Sequence, residues 1–151
     1  MTIGLLKEPS GENRVALLPE GVIALVDLKT EVLIENGAGD TAFASDNAYA
    51  DVGGEIVSRE AALKCDLILG INQPTDSEIE GMSASQVLVC VFQPLSNKRL
   101  VEKFMEKNLT TFSLDNVPRT TRAQSMDILS SMATATGYKA VLLAATHSPR
   151  F

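Results

Sequence analysis

The sequence predicts an α/β domain, a mainly parallel sheet with helices on both faces. Three observations carry this. Short runs rich in apolar and β-branched residues alternate with helix-length segments. Most of these runs are apolar nearly throughout, as strands covered on both faces are. The helical segments carry start signals, a proline in a first turn or a Ser/Thr cap. A length of 151 residues fits one domain with a sizeable core. With 45% hydrophobic and 21% charged residues, the composition is that of an ordinary globular protein.

Strands are expected at residues 3–6, 31–35, 55–57, 66–71, 87–92 and 109–113. Pro19 opens a helix with Val22, Leu25 and Val26 as its apolar stripe. Ser45-Asp46 starts a short helical stretch over residues 46–52, and Ser58 caps another toward Leu63. Thr75 and Glu78 fit a capping box. Ser96 is placed to cap a helix with Leu100, Val101, Phe104 and Met105 on its inner face. Parallel strands joined this way imply right-handed crossovers. The last segment differs. One long helix is expected from Ala123 to about Thr146, capped by Thr121 with Gln124 three residues later. It is poor in charge and rich in small residues, among them Ser130, Ala133, Gly137, Ala140 and Ala144. Small residues let another backbone approach closely.

Charge and composition exclude several classes. The net charge is −6 with no Lys/Arg cluster, so no nucleic-acid-binding face is expected. No contiguous apolar run approaches the roughly 18 residues of a membrane span. The N-terminus has no signal-peptide pattern. The chain is therefore expected to be cytosolic, with any membrane association supplied by another segment or subunit. Cys65 and Cys90 read as buried thiols, and with His147 the only histidine no metal site is expected.

Three stretches could carry chemistry. Residues 37–42, Gly-Ala-Gly-Asp-Thr-Ala, match a dinucleotide fingerprint, but that fingerprint needs a helix opening at the glycines. The next helix signal comes only at Ser45, so a glycine turn leaving the sheet is expected. Lys7-Glu8-Pro9 and Glu12-Asn13-Arg14 form a charged loop after the first strand, where α/β folds hold ligands; a solvated surface loop has the same composition. In residues 118–131, a continuous helix would place Gln124, Asp127 and Ser130 or Ser131 on one face, with Arg119 just before it. An amide, a carboxylate, a hydroxyl and a guanidinium suit recognition of a carboxamide and a ribose. A capped helix start with an acid in its first turn accounts for the same residues equally well.

Arg122-Ala123-Gln124-Ser125-Met126-Asp127-Ile128-Leu129-Ser130-Ser131-Met132-Ala133, followed by Gly137-Tyr138-Lys139-Ala140-Val141, resembles the hallmark segment of NAD(P) transhydrogenase alpha subunits. The resemblance extends to Lys7-Glu8, Glu12-Asn13-Arg14-Val15-Ala16, Pro19-Glu20-Gly21-Val22, Glu35-Asn36-Gly37-Ala38-Gly39 and Asp66-Leu67-Ile68-Leu69, and so covers essentially the whole chain. It implies a flavodoxin-like, Rossmann-like domain over residues 1–151, the first part of an NAD(H)-binding component. The long last helix would join it to a dinucleotide-binding Rossmann domain absent from this chain. It further implies hydride transfer between NAD(H) and NADP(H), coupled to proton translocation. Partners would be the membrane and NADP(H)-binding components and a second copy, at the cytoplasmic face of the bacterial inner membrane. Arg119, Gln124, Asp127 and Ser130 match the residues that surround the nicotinamide. Asp127 and Ser130 would hold the carboxamide, Arg119 would pair with Asp127, and Gln124 would sit near the ring that meets NADP(H). Gln124 and Asp127 are the catalytic assignments. NAD(H) is expected in the parent protein, with none bound by this chain alone.

Alanine dehydrogenases share the architecture. They hold an oxo-acid with an arginine, a lysine and a histidine at positions that fall here on Arg14, Asn72 and Gln93. A cation and a titrating group are therefore missing, which favours the transhydrogenase resemblance. A non-catalytic dimerisation module is the alternative from another class.

Overall fold

Strand β1 (Thr2–Leu5) occupies an inner position of a six-stranded sheet, flanked by β2 (Glu31–Glu35) and β4 (Leu67–Asn72). With β3 (Glu55–Val57), β5 (Val87–Val91) and β6 (Thr110–Ser113) the order is β3-β2-β1-β4-β5-β6, every neighbouring pair parallel. The computed structural model describes residues 1–149. All six expected strands are present, with ends shifted by a residue at most. Of the two doubly wound orders, the sheet has the six-stranded Rossmann one rather than the five-stranded flavodoxin one.

The helices between strands cover two faces. On one, Val22 of α1 (Pro19–Asp27) and Tyr49 of α2 (Asp46–Asp51) pack with Leu5, Val32 and Ile34. On the other, Ala62 of α3 (Arg59–Ala62), Ile79 of α4 (Asp76–Gly81) and Leu100 and Phe104 of α5 (Lys98–Glu106) pack with Leu6, Ile68, Leu88 and Cys90. Consecutive Leu5 and Leu6 enter opposite cores, as side chains of an extended segment must. Phe92 and Phe104 meet edge to face with centroids 5.2 Å apart. The Tyr49 hydroxyl donates to Leu17 O at 2.7 Å, and burial pushes its pKa up to about 12, helped by the charges of Glu20 and Asp46. Cys65 and Cys90 are both buried.

Local signals were decisive where a side chain could reach an amide. Ser45, Ser58 and Thr75 each cap the helix that follows, and Thr75 with Glu78 closes the capping box. The expected cap at Ser96 is corrected. Helix α5 starts after Asn97, because a turn closed by Ser96 N and Asn97 N on Gln93 O holds the chain until then. Met105 is also not on the inner face of α5; it is 71% exposed.

The described chain forms two units, Met1–Ser113 with the sheet and a second from Leu114 onward. In the second, short 3-10 turns at Leu114–Asn116 and Gln124–Met126 precede α6 (Ile128–His147). The single long helix expected from Ala123 therefore begins five residues later. None of its residues is buried, and its apolar side chains are spread around the whole circumference. At 20 residues with a mean hydropathy of 1.2, α6 is long and apolar enough to cross a membrane by those two measures, although no contiguous apolar run announced it.

Gly4 lets α3 lie against the sheet: a Cβ there would stand 2.1 Å from the Ala62 carbonyl oxygen and 3.2 Å from Cys65 Sγ. Because the obstacle is backbone, Gly4→Ala should destabilise the sheet unit by about 1–3 kcal/mol. Urea unfolding followed by circular dichroism measures this, and an unchanged midpoint would mean that α3 moves away at little cost.

Candidate functional site at the start of the last helix

Helix α6 begins where Asp127 turns out of helical conformation, at φ −77° and ψ 96°. Its Oδ1 accepts from Leu129 N at 3.0 Å and Ser130 N at 3.3 Å, and Oδ2 accepts from the Ser130 hydroxyl at 2.5 Å. Ser131 adds a hydroxyl bond to Asp127 O at 3.2 Å. A short carboxylate reaches the amides two and three residues ahead and satisfies first-turn donors that a helix leaves open. Asp127 therefore caps the helix, and the expected Thr121 cap is corrected. The Ser130 hydroxyl, followed by the Ser130 and Leu129 amides and the positive charge of Arg119, holds the Asp127 carboxyl below its ordinary range against the opposing effect of burial. It is ionised at neutral pH and only accepts.

The structure thus brings Asp127 and Ser130 into direct contact. It does not place Gln124 on one helical face with them. Gln124 opens the separate 3-10 turn and is exposed. Arg119, in the exposed loop before it, acts on Asp127 through its charge.

The charged loop of the first unit lies at the carboxyl ends of β1 and β4, where the strand order reverses. A crevice of about 320 Å³ there is bordered by Lys7, Glu8, Glu35, Arg59, Gln73 and Glu78, with Pro9 and Thr75. Arg59 closes one wall. It donates to Glu35 at 2.7 Å, to Lys7 O at 3.1 Å, and to Glu78 through two nitrogens. That contact, with further bonds from Thr75, holds the Glu78 carboxyl at about 2. Arg14 turns to Glu12, with hydrogen bonds of 2.8 and 2.6 Å, and holds that carboxyl at about 2 as well. The Asn72 side chain donates to Glu8, and Gln93 stands in the left-handed region at φ 49°. Sequence reading missed the Arg59 network. The Glu78 cap was legible, but nothing marks a residue 19 positions away as its partner.

Residues 37–42 form the expected glycine turn. Gly37 adopts φ 69°, and its amide donates to Asp46 Oδ1 at 2.9 Å while Asn36 donates to Oδ2 at 2.8 Å. Only a 3-10 turn, Asp40–Ala42, follows the glycines.

The architecture is that of a doubly wound parallel α/β domain followed by a carboxylate-capped helix. The chain belongs to the alanine dehydrogenase/PNT N-terminal domain family, whose model matches residues 4–136. It is 41% identical over its whole length to the NAD(P) transhydrogenase subunit alpha of Cereibacter sphaeroides, and spans 29% of that protein. It is 30% identical to alanine dehydrogenase 1 of Staphylococcus aureus, with 98% of the chain aligned to 39% of the relative. The solved transhydrogenase from Sinorhizobium meliloti superposes with a TM-score of 0.92 at 35% identity, over 99% of this chain and 46% of that one.

The Arg59–Glu78 contact makes a pH prediction. Glu78 has a folded pKa of about 2 against an ordinary 4.5, so its stabilising contribution is complete above the unfolded value. It is lost as pH falls from about 4.5 toward 2. Thermal melts across that range should show Glu78→Gln losing less stability than the unaltered chain. Parallel curves for the two would mean that the contact carries no stability.

Proposed function

We propose that this chain is the front part of the NAD(H)-binding component of a proton-translocating NAD(P) transhydrogenase. The observation that carries the reading is the Asp127–Ser130 pair at the start of α6. Asp127 Oδ2 and the lone pairs of Ser130 Oγ are acceptors set side by side, suited to the NH2 of a carboxamide. Arg119 is assigned to pair with Asp127, on which its positive charge acts. Gln124 is assigned to the edge of the ring that meets NADP(H). When bound, NAD(H) supplies the hydride chemistry. The chain's residues orient the nicotinamide, and none need act as acid or base.

Further parts of the parent protein complete this division of labour. A nicotinamide dinucleotide is long, and its pyrophosphate is normally held at a glycine-rich turn opening a helix. The turn at Gly37 has its amide engaged by Asp46, so we assign the pyrophosphate to a Rossmann domain outside this chain. The apolar circumference of α6 supports close packing against other protein, in line with that domain and a second copy as partners. The membrane and NADP(H)-binding components complete the machine, at the cytoplasmic face of the bacterial inner membrane. An amino-acid dehydrogenase is less well supported, because Asn72 and Gln93 stand where that chemistry needs a cation and a titrating group.

In the parent enzyme, Asp127→Ala should lower hydride transfer and loosen NAD(H) without shifting the melting transition of the sheet unit. Ser130→Ala removes one acceptor for the carboxamide NH2 and should weaken NAD(H) by about tenfold. Steady-state kinetics and fluorescence titration with NADH read both. Normal kinetics with a collapsed melting temperature would give Asp127 a purely structural role.

For the chain alone, a few hydrogen bonds of roughly 0.5–1.5 kcal/mol each fall short of the ~8 kcal/mol that micromolar binding needs. Calorimetry with NADH should find no dissociation constant below about 1 mM. A micromolar value would place a complete dinucleotide site within these residues and overturn the division of labour.

A further inference from the structure

The net charge of −6 is not spread evenly over the chain. Residues 15–58 hold eight of its 19 Asp and Glu and, in Lys29, one of its 13 Lys and Arg. Elsewhere the two signs nearly balance. This stretch builds α1 and α2, which cover one face of the sheet together. Between them lies an open groove of about 490 Å³. Leu18, Ile23, Phe43 and Val52 supply apolar lining, and Glu20 and Asp51 stand among them. Among the described residues neither acid enters an ion pair. Leu18 and Ile23 are half exposed, and Phe43 is 101% exposed. Phe43 also stands in the left-handed region at φ 61°, which a bulky side chain rarely adopts. The turn holds it there: the Phe43 amide donates to Asp40 O at 3.3 Å and the Ala44 amide to Gly39 O at 3.0 Å. Neither core uses the ring.

We propose that this groove docks a cationic segment of a partner protein, with an apolar side chain beside Phe43 and Arg or Lys against Glu20 and Asp51. An exposed aromatic anchor with charge at its rim has the composition of a binding hot spot. A guanidinium there pairs with carboxylates and stacks on the ring. The acidity selects among occupants. A second copy docked through the same face would set acids against acids, and an anionic lipid surface would be repelled. The proposal stands independently of the nicotinamide site on α6.

The probe is a synthetic helical peptide of leucine and arginine, labelled and titrated with the full chain by fluorescence anisotropy. It should bind, and more weakly as salt rises. Versions with serine for leucine, or glutamate for arginine, should not bind. Phe43→Asn keeps the net charge and suits the left-handed turn, so it should melt no lower and bind about tenfold more weakly. Phe43→Gly fits the same backbone and serves if Phe43→Asn does not fold. Glu20→Gln with Asp51→Asn should weaken binding and flatten its salt dependence. No binding, or equal binding by the Phe43 variants, overturns the proposal. So does self-association of the unaltered chain that Phe43→Asn abolishes in sedimentation, because the occupant is then a second copy. In the parent enzyme, Phe43→Cys should react freely with a thiol reagent. Protection there means that the parent's own chain covers the groove, and overturns the proposal.

Discussion

Backbone amides that leave a ladder or open a helix must find acceptors, and here carboxylates supply them at one junction after another. Asp66 takes the amide of Thr2 at the start of the sheet. Glu35 takes that of Lys7 at its opposite end, and Glu8 takes two from the irregular end of β4. Asp46 takes Gly37 in the glycine turn, Glu78 takes Thr75, and Asp127 takes two at the start of α6. Many of the acids behind the net charge of −6 are thus structural ligands. Charge-assisted bonds of this kind are shorter and stronger than neutral ones, and they fix loops that contribute little to either core.

That constraint also sorts the possible sites. An amide occupied by an internal carboxylate is unavailable to a phosphate or to a substrate carboxylate. The glycine turn and the loop after β1 both lie where α/β folds bind ligands, and in both an acidic side chain engages the backbone amides. At Asp127 the outcome is different. Its Oδ1 serves the helix amides, while Oδ2 and the Ser130 hydroxyl stand together as acceptors. The same cap that ends the loop thereby sets two acceptor atoms side by side, an arrangement that suits a carboxamide better than an anion.

The fold was legible because its signals are local. Near-continuous apolar runs gave each strand, and Ser45, Ser58, Thr75 and Pro19 gave the helix starts. The candidate residues Arg119, Gln124, Asp127 and Ser130 were named from the sequence, but their local geometry was not legible. One continuous helix was expected across Gln124, Asp127 and Ser130, whereas Gln124 opens a 3-10 turn that ends at Asp127, before α6 begins. Thr121 and Asp127 both compete to cap α6, and Asp127 prevails by bonding two amides and the Ser130 hydroxyl together. The Arg59 bridge and the Glu8 clamp were illegible for another reason. Each joins residues brought together only by strand order, and no spacing rule within one segment reports such a pair.

Helix α6 follows a different rule from the helices of the sheet. Those are one-sided: α5 buries Leu100 and Phe104 and turns Lys98, Arg99 and Glu102 to solvent. On α6, Leu129, Met132, Tyr138, Val141, Leu142 and Leu143 are exposed around the circumference, and the hydroxyls of Thr136 and Thr146 are turned back onto helix carbonyls at 3.0 and 2.8 Å. A helix with no preferred polar face and with hydroxyls satisfied from within is fitted to surroundings that are apolar on every side. Polar groups are densest at the N-terminal end, at Asp127, Ser130 and Ser131, with Lys139 in the middle and His147 in the last turn. Burying the apolar side chains of the helix against other protein would leave that end as a polar edge. The acceptor pair would then lie where an apolar wall meets a polar edge, the setting in which a few directed hydrogen bonds govern the orientation of a bound ring.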